Sequence, residues 1–115
     1  MNTGDIAAHS SFTVLNPGGG RPVTSVYCCD LLSLVMGRAP AGSAWVTVMG
    51  NQNAVAVASL ADTACIVLAE GITMDETGLQ KAREHNVAVF ATRLPVYEAA
   101  ALGQLLAEGL NHGAG

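Results

Sequence analysis

Along the chain, short unbroken apolar runs alternate with longer stretches whose apolar residues recur at helical spacing. The first run, Phe12 to Leu15, is strand-like and stops at Asn16, Pro17 and the glycines Gly18, Gly19 and Gly20, which signal a turn. Val23 to Cys28 reads as a second strand. Asp30 then stands where a side-chain oxygen caps a helix opened by Leu31, Leu32, Leu34, Val35 and Met36, and Gly37 and Pro40 end that helix. The β-branched residues Val46, Thr47 and Val48 make Trp45 to Val48 the next strand. Asn51 to Ala61 carries both rhythms: Ala54 to Ala58 alternates like a strand, while the alanine content and the caps offered by Asn51 or Asn53 favour a helix, the reading adopted.

Ala64 to Ala69 is a continuous apolar run between Asp62 and Gly71, as a central strand covered on both faces requires. Thr73-Met74-Asp75-Glu76 has capping-box form and places carboxylates in the first turn of a helix running through His85. Val87 to Ala91 is a further strand. Pro95 suits the first turn of a last helix, whose adjoining stripes are Tyr97, Ala101, Leu105 and Leu102, Leu106, Leu110. Strands alternating with helices predict an α/β fold, a single small domain with a mainly parallel sheet, right-handed crossovers and flanking helices. The expected organisation is a flexible segment over residues 1–11, the domain over residues 12–110 and a flexible tail over residues 111–115.

Composition narrows this picture. The 115 residues suffice for one core and not for two, and 50% hydrophobic content with only 12% charged residues argues against disorder. Aromatics are 4% against 19 alanines and 13 glycines, so the core is expected to consist of small side chains that let elements approach closely. A net charge of −4 without a basic stripe disfavours a nucleic-acid partner. The uncharged stretch from Ala39 to Ala61 is broken by Pro40, Gly42, Gly50 and Asn51, short of the roughly 20 apolar residues of a membrane span. No signal peptide is visible before Ser11, and three cysteines, two of them adjacent, fit no disulfide framework. A cytoplasmic protein with reduced thiols is expected.

The chemistry is defined mostly by exclusion. The sole lysine, Lys81, lies inside a predicted helix, so no phosphate-cradling loop of the G-x-x-x-x-G-K-[ST] type exists and no ATP-dependent kinase activity is expected. Gly18-Gly19-Gly20 before Arg21 is a flexible turn or, alternatively, an anion loop. His9, His85 and His112 lack ligand spacing, so no metal and no cofactor are expected. Cys28 and Cys29 precede a helix and are either a structural pair or a nucleophile; Cys65 belongs to the core. In an open parallel sheet, ligands bind outside the carboxyl ends of the strands. Those ends carry Asp30, then Asn51 and Asn53, then Glu70 and Gly71, then Thr92 and Arg93, which makes this set a candidate ligand site as well as a set of ordinary caps and loop residues.

The succession Cys29-Asp30-Leu31-Leu32-Ser33, Trp45-Val46-Thr47, Asn53 to Ala58, Ala64 to Gly71, Lys81-Ala82 and Val89 to Thr92 resembles the DRTGG domain family over roughly Val23 to Leu106, although the pentapeptide that names the family is absent. The resemblance implies a fold like the N-terminal domain of HPr kinase/phosphorylase, in a stand-alone member without the kinase's separate catalytic domain. It implies a non-catalytic regulatory or ligand-sensing module for a small anionic or nucleotide-like ligand, or for a regulatory protein partner. The alternatives are a small enzyme with Cys28 or Cys29 as nucleophile and a purely structural interaction domain. The helix from Leu31 to Met36 is apolar nearly all round, so a homodimer is expected to cover what the sheet does not.

Overall fold

The computed structural model describes residues 1–109, so Leu110, expected on the last helical stripe, and the expected tail lie outside the described residues. The strands are β1 (Thr13–Asn16), β2 (Ser25–Cys28), β3 (Ser43–Thr47), β4 (Cys65–Leu68) and β5 (Ala88–Ala91). The helices are α1 (Thr3–Ala8), α2 (Leu32–Arg38), α3 (Gln52–Ala61), α4 (Glu76–His85) and α5 (Val96–Ala107). One five-stranded sheet runs in the order β1-β5-β4-β3-β2; β1 is antiparallel to β5 and every other pair is parallel. The α/β architecture expected from the alternating pattern is therefore present.

From β2 to β5 each crossover advances one strand in the same direction, so α2, α3 and α4 lie side by side on one face. The chain leaves β5 for the other face, where α5 packs against β2 and β3 and α1 against α5 and β5. Alternation along the strands divides the core accordingly. Ala44, Val46, Cys65, Val67, Ala88 and Phe90 face α1 and α5, while Trp45, Ile66, Leu68 and Val89 face α2 to α4. Trp45 is fully buried, and its indole N–H donates to the Cys29 carbonyl at 2.8 Å, satisfying the one polar atom of the largest core side chain.

Several local expectations are corrected. Residues 1–11, expected to be flexible, contain α1, opened by a reciprocal capping box between Asn2 and Asp5. Ile6 is buried there, and the Thr3 and Val23 amides tie the segment to Arg21 and Met1 carbonyls. Asp30 does not cap α2: the N-cap is Leu31, which leaves Asp30 one residue too early to reach the helix amides. The cap of α4 is Asp75, whose Oδ1 accepts from the Gly78 amide at 2.7 Å, while Thr73 stays in the preceding loop. Pro95 is the N-cap of α5 rather than its first turn. Asn51 caps α3, its Oδ1 accepting from the Ala54 amide at 3.1 Å, which settles the helix reading of that segment.

The triglycine stretch is a turn with a fastening function. Gly18 has φ +62° and a Cβ there would sit 2.9 Å from Ala88, so only glycine fits this close approach. Arg21 then binds Asp62 Oδ1 at 3.0 Å and donates to the Thr63 carbonyl at 2.8 Å, so its guanidinium holds the α3–β4 connection.

Candidate functional site

The carboxyl ends of β2 to β5 share one edge of the sheet, and the residues singled out there fall into three groups. At the β2 end, Asp30 Oδ1 accepts from the Thr47 hydroxyl at 2.7 Å and from the Val48 amide at 3.1 Å. Thr47 Oγ1 in turn accepts from the Met49 amide at 3.3 Å, so the ends of β2 and β3 are joined by a network whose polar atoms satisfy one another. Asn51 is committed to capping α3. Asn53 lies in the first turn of that helix and lines a separate cleft of about 190 Å³ with Lys81 and His85.

The third group lies where the connections part: the loop after β4 leads to α4 on one face, and the loop after β5 leads to α5 on the other. Such a divergence opens a crevice at the carboxyl edge. Glu70 and Gly71 turn the chain with φ +62° and +74°. Their amides donate to the Leu94 and Thr92 carbonyls at 2.8 and 3.0 Å, and Glu70 Oε2 accepts from the Val96 amide at 2.8 Å. Glu70 thus serves the start of α5, which Pro95 leaves without a side-chain cap of its own.

Beside this latch is a cavity of about 560 Å³. Thr13, Leu15 and Ala91 line it from the β1–β5 pair, and Gly71, Ile72 and Thr73 line it from the loop after β4. Ser10 and Ser11, which precede β1, and Thr92, Arg93 and Leu94, which follow β5, complete the lining. Gly71, Thr92 and Arg93 of the expected set therefore meet in one cavity; Glu70 braces it from outside, and Asp30, Asn51 and Asn53 stand elsewhere. Arg93 is exposed and makes no hydrogen bond or ion pair among the described residues, and it is the only charged residue of the lining. Thr92 is buried, its Oγ1 accepting from the Leu94 amide at 3.2 Å. The Ser10–Ser11 wall is held by His9, whose Nδ1 accepts from the Ser11 amide at 3.1 Å and whose ring meets Phe12 edge-on. That acceptor role assigns the neutral ring's proton to Nε2.

Ser10, Ser11, Thr13, Leu15 and Thr73 were missed by reasoning from strand ends, because the parallel-sheet rule is blind to an antiparallel edge strand. The available signal was the run Phe12 to Leu15 itself, whose hydroxyl-bearing approach was set aside with the amino-terminal segment.

The thiols occupy a different region. Cys28 is exposed, yet partial burial of its sulfur, then the Asp30 charge, then Cys29 raise its pKa above the ordinary thiol value. This is the reverse of the activation a nucleophile requires. Burial pushes Cys65 up to about 12. Among the described residues, no group of three or more His, Cys, Asp or Glu side chains is placed to hold a metal ion, and no helix is long and apolar enough to cross a membrane.

No protein-family model matches the chain, and no curated protein matches it in sequence. Among solved structures, the fold is similar to the CBS and DRTGG domains of the regulatory region of Clostridium perfringens pyrophosphatase, complexed with the activator diadenosine tetraphosphate. The TM-score is 0.63 at 12% identity, over 81% of this chain and 41% of that one. The likeness is one of fold, and the chain spans less than half of that structure's length.

Proposed function

We propose that the chain is a non-catalytic, DRTGG-type regulatory module that senses a small anionic or nucleotide-like ligand and passes its occupancy to a protein partner in the cytoplasm. The observation that carries this reading is the cavity at the divergence of the β4 and β5 connections, with the Arg93 guanidinium in its lining. Its lining supplies hydroxyls and one cation but no carboxylate, imidazole or thiol, so it is equipped to hold an anion and has no general base to act on one. The likeness to a regulatory region crystallised with a nucleotide activator supports the same reading, as do the residues that resemble the DRTGG family. The raised thiol of Cys28 argues against the enzyme alternative.

A homodimer belongs to the proposal. Leu31, Leu34 and Met36 are exposed on and just before α2, beside β2, which forms one border of the sheet. Light scattering at micromolar concentration is expected to give twice 11.7 kDa, and Leu34→Asp is expected to return a folded monomer. The test of the ligand reading is a thermal-shift screen with nucleotides and phosphorylated metabolites. A true ligand at about 100 times its dissociation constant adds about 2.7 kcal/mol of stability. A panel without any stabilising compound overturns the reading.

A further inference from the structure

We propose that the cavity between β1, β5 and the 71–73 loop takes a nucleoside monophosphate, the planar base against Leu15, Ala91 and Ile72, and the phosphate on Arg93 and Ser11. The inference rests on the ligand-sensing reading above and gives it a ligand class and an orientation.

The polarity of the cavity follows from the register. Thr13 pairs with Ala91 in the antiparallel β1–β5 ladder, so continuing the pairing outward by two residues sets Ser11 opposite Arg93. Side chains two residues apart share a face. Ser11 and Arg93 therefore extend the face that holds Thr13 and Ala91, while Phe12 and Phe90 belong to the core on the other side. Along the ladder from Ser11 and Arg93 the lining passes to Thr13 and Ala91 and then to Leu15, from a guanidinium and hydroxyls to apolar side chains. Ile72, in the same lining, is 38% exposed, a large apolar side chain that a ring bound beside Ala91 and Leu15 would cover.

Charge fixes where the phosphate lies. Both nearby helix termini already have carboxylate partners, α4 through Asp75 and α5 through Glu70, so neither offers its amides to an anion. The phosphate is left to the end where Ser11 and Arg93 lie. Arg93 is the single cation there, and Arg21, Lys81 and Arg83 are engaged in ion pairs elsewhere. One guanidinium suits one phosphoryl group and does not offset the charge of a di- or triphosphate. The volume, about 560 Å³, lies within the range of about 300–1,000 Å³ usual for small-molecule sites.

Calorimetric titration of the whole chain with the four ribonucleoside monophosphates, their nucleosides and ribose 5-phosphate tests this. At least one monophosphate is expected to bind tenfold or more tightly than both its nucleoside and ribose 5-phosphate. Arg93→Ala is expected to weaken that monophosphate at least tenfold and to leave the nucleoside unchanged. Ile72→Ser, at a position 38% exposed, is expected to weaken monophosphate and nucleoside several-fold while sparing ribose 5-phosphate. Ribose 5-phosphate binding as tightly as every monophosphate overturns the placement of the base but leaves an anion sensor standing. A nucleoside binding as tightly as its monophosphate removes the role of Arg93. If none of these compounds binds while another phosphorylated metabolite stabilises the fold, the nucleotide class falls alone; if no anion does, the ligand-sensing reading falls with it.

Discussion

The two ends of the sheet's carboxyl edge are made of similar residue types and do opposite things. At the β2–β3 end, Asp30, Thr47 and the Val48 and Met49 amides bond to one another. At the β4–β5 end, the connections leave for opposite faces, and their own bonds, Glu70 to Val96 and Gly71 to Thr92, close the strand gap but leave a cavity beside it. Polarity at a strand end is therefore a poor guide to a site. What separates the ends is whether successive connections stay on one face, where helices pack shoulder to shoulder over the edge, or part and leave lining groups with spare hydrogen-bonding capacity.

Gly50, at the end of β3, is where the closed half touches the open one, and changing it should have the largest effect. A Cβ at this position would meet the Thr73 carbonyl, with its carbon at 3.0 Å, in the lining of the cavity. The loop cannot simply retreat, because the Gly50 carbonyl accepts from the Asp75 amide at 3.1 Å. Gly50→Ala is expected to cost about 3 kcal/mol, the upper part of the overpacking range, and to weaken ligand binding together with stability. Urea unfolding with an unchanged m-value and a lowered midpoint is the expected record. A variant as stable as the parent would show the 71–73 loop to be free of the chain that follows β3.

Asp30→Ala separates the halves in the other direction. It strips partners from the Thr47 hydroxyl, which is fully buried, and from the Val48 amide, an expected loss of about 1–2 kcal/mol. Ligand affinity at the far end should stay within twofold. Adding Thr47→Val should restore part of the loss, since the orphaned hydroxyl is gone; strict additivity of the two changes would argue against the network.

How much of this was legible in the sequence depends on the range of the interactions. Asn51 and the Ala64–Ala69 run announce their roles through neighbours within four residues, and the structure has them as an N-cap and a central strand, whereas the cap of α4 falls at Asp75 instead of Thr73. The strand order is a different matter. β1 and β2 are consecutive in the chain yet lie at opposite borders of the sheet, so the connection over residues 17–24 carries the chain across its whole width. No local pattern encodes that. The cavity inherits the gap: its carboxyl-edge residues Gly71, Thr92 and Arg93 are readable from strand ends, whereas Ser11 and Thr13 arrive through a pairing with β5 that is 78 residues distant in the chain, as Thr13 with Ala91 shows. α1 is equally hidden, because only Ile6 and Thr3 of its six residues are buried and no apolar stripe betrays it.

A smaller effect should be seen at the thiols of the closed half. Because the Cys28 pKa is raised above the ordinary thiol value and the thiolate is the reactive form, alkylation near pH 7 to 8 should be slower than at an ordinary exposed cysteine. It should climb about tenfold per pH unit toward pH 9. Burial is the main cause and the Asp30 carboxylate the second, so Asp30→Asn should lower the pKa in part and speed the reaction several-fold at pH 8. Cys65, pushed up to about 12 and buried, should react only on unfolding. Mass spectrometry of the alkylated chain reads all three sites, and a fast reaction at Cys28 at pH 7 would revive the enzyme alternative.

The smallest expected effect on stability is that of Arg93→Ala, and its smallness is informative. Arg93 is exposed, lies in the loop between β5 and α5, and makes neither a hydrogen bond nor an ion pair among the described residues. A surface side chain of this kind changes stability by about 0.5 kcal/mol or less on truncation. Asp30, also exposed, should cost several times more, because its carboxylate is spent on the fold. The same two variants should rank in reverse order for ligand affinity, with Arg93→Ala the damaging one. Unfolding without ligand and titration with it, performed on both proteins, therefore form a double dissociation between an end of the sheet that spends its polar groups internally and an end that keeps one in reserve. Arg93→Ala destabilising the ligand-free chain by as much as Asp30→Ala would mean that the guanidinium is structural, and the distinction between the two ends would collapse.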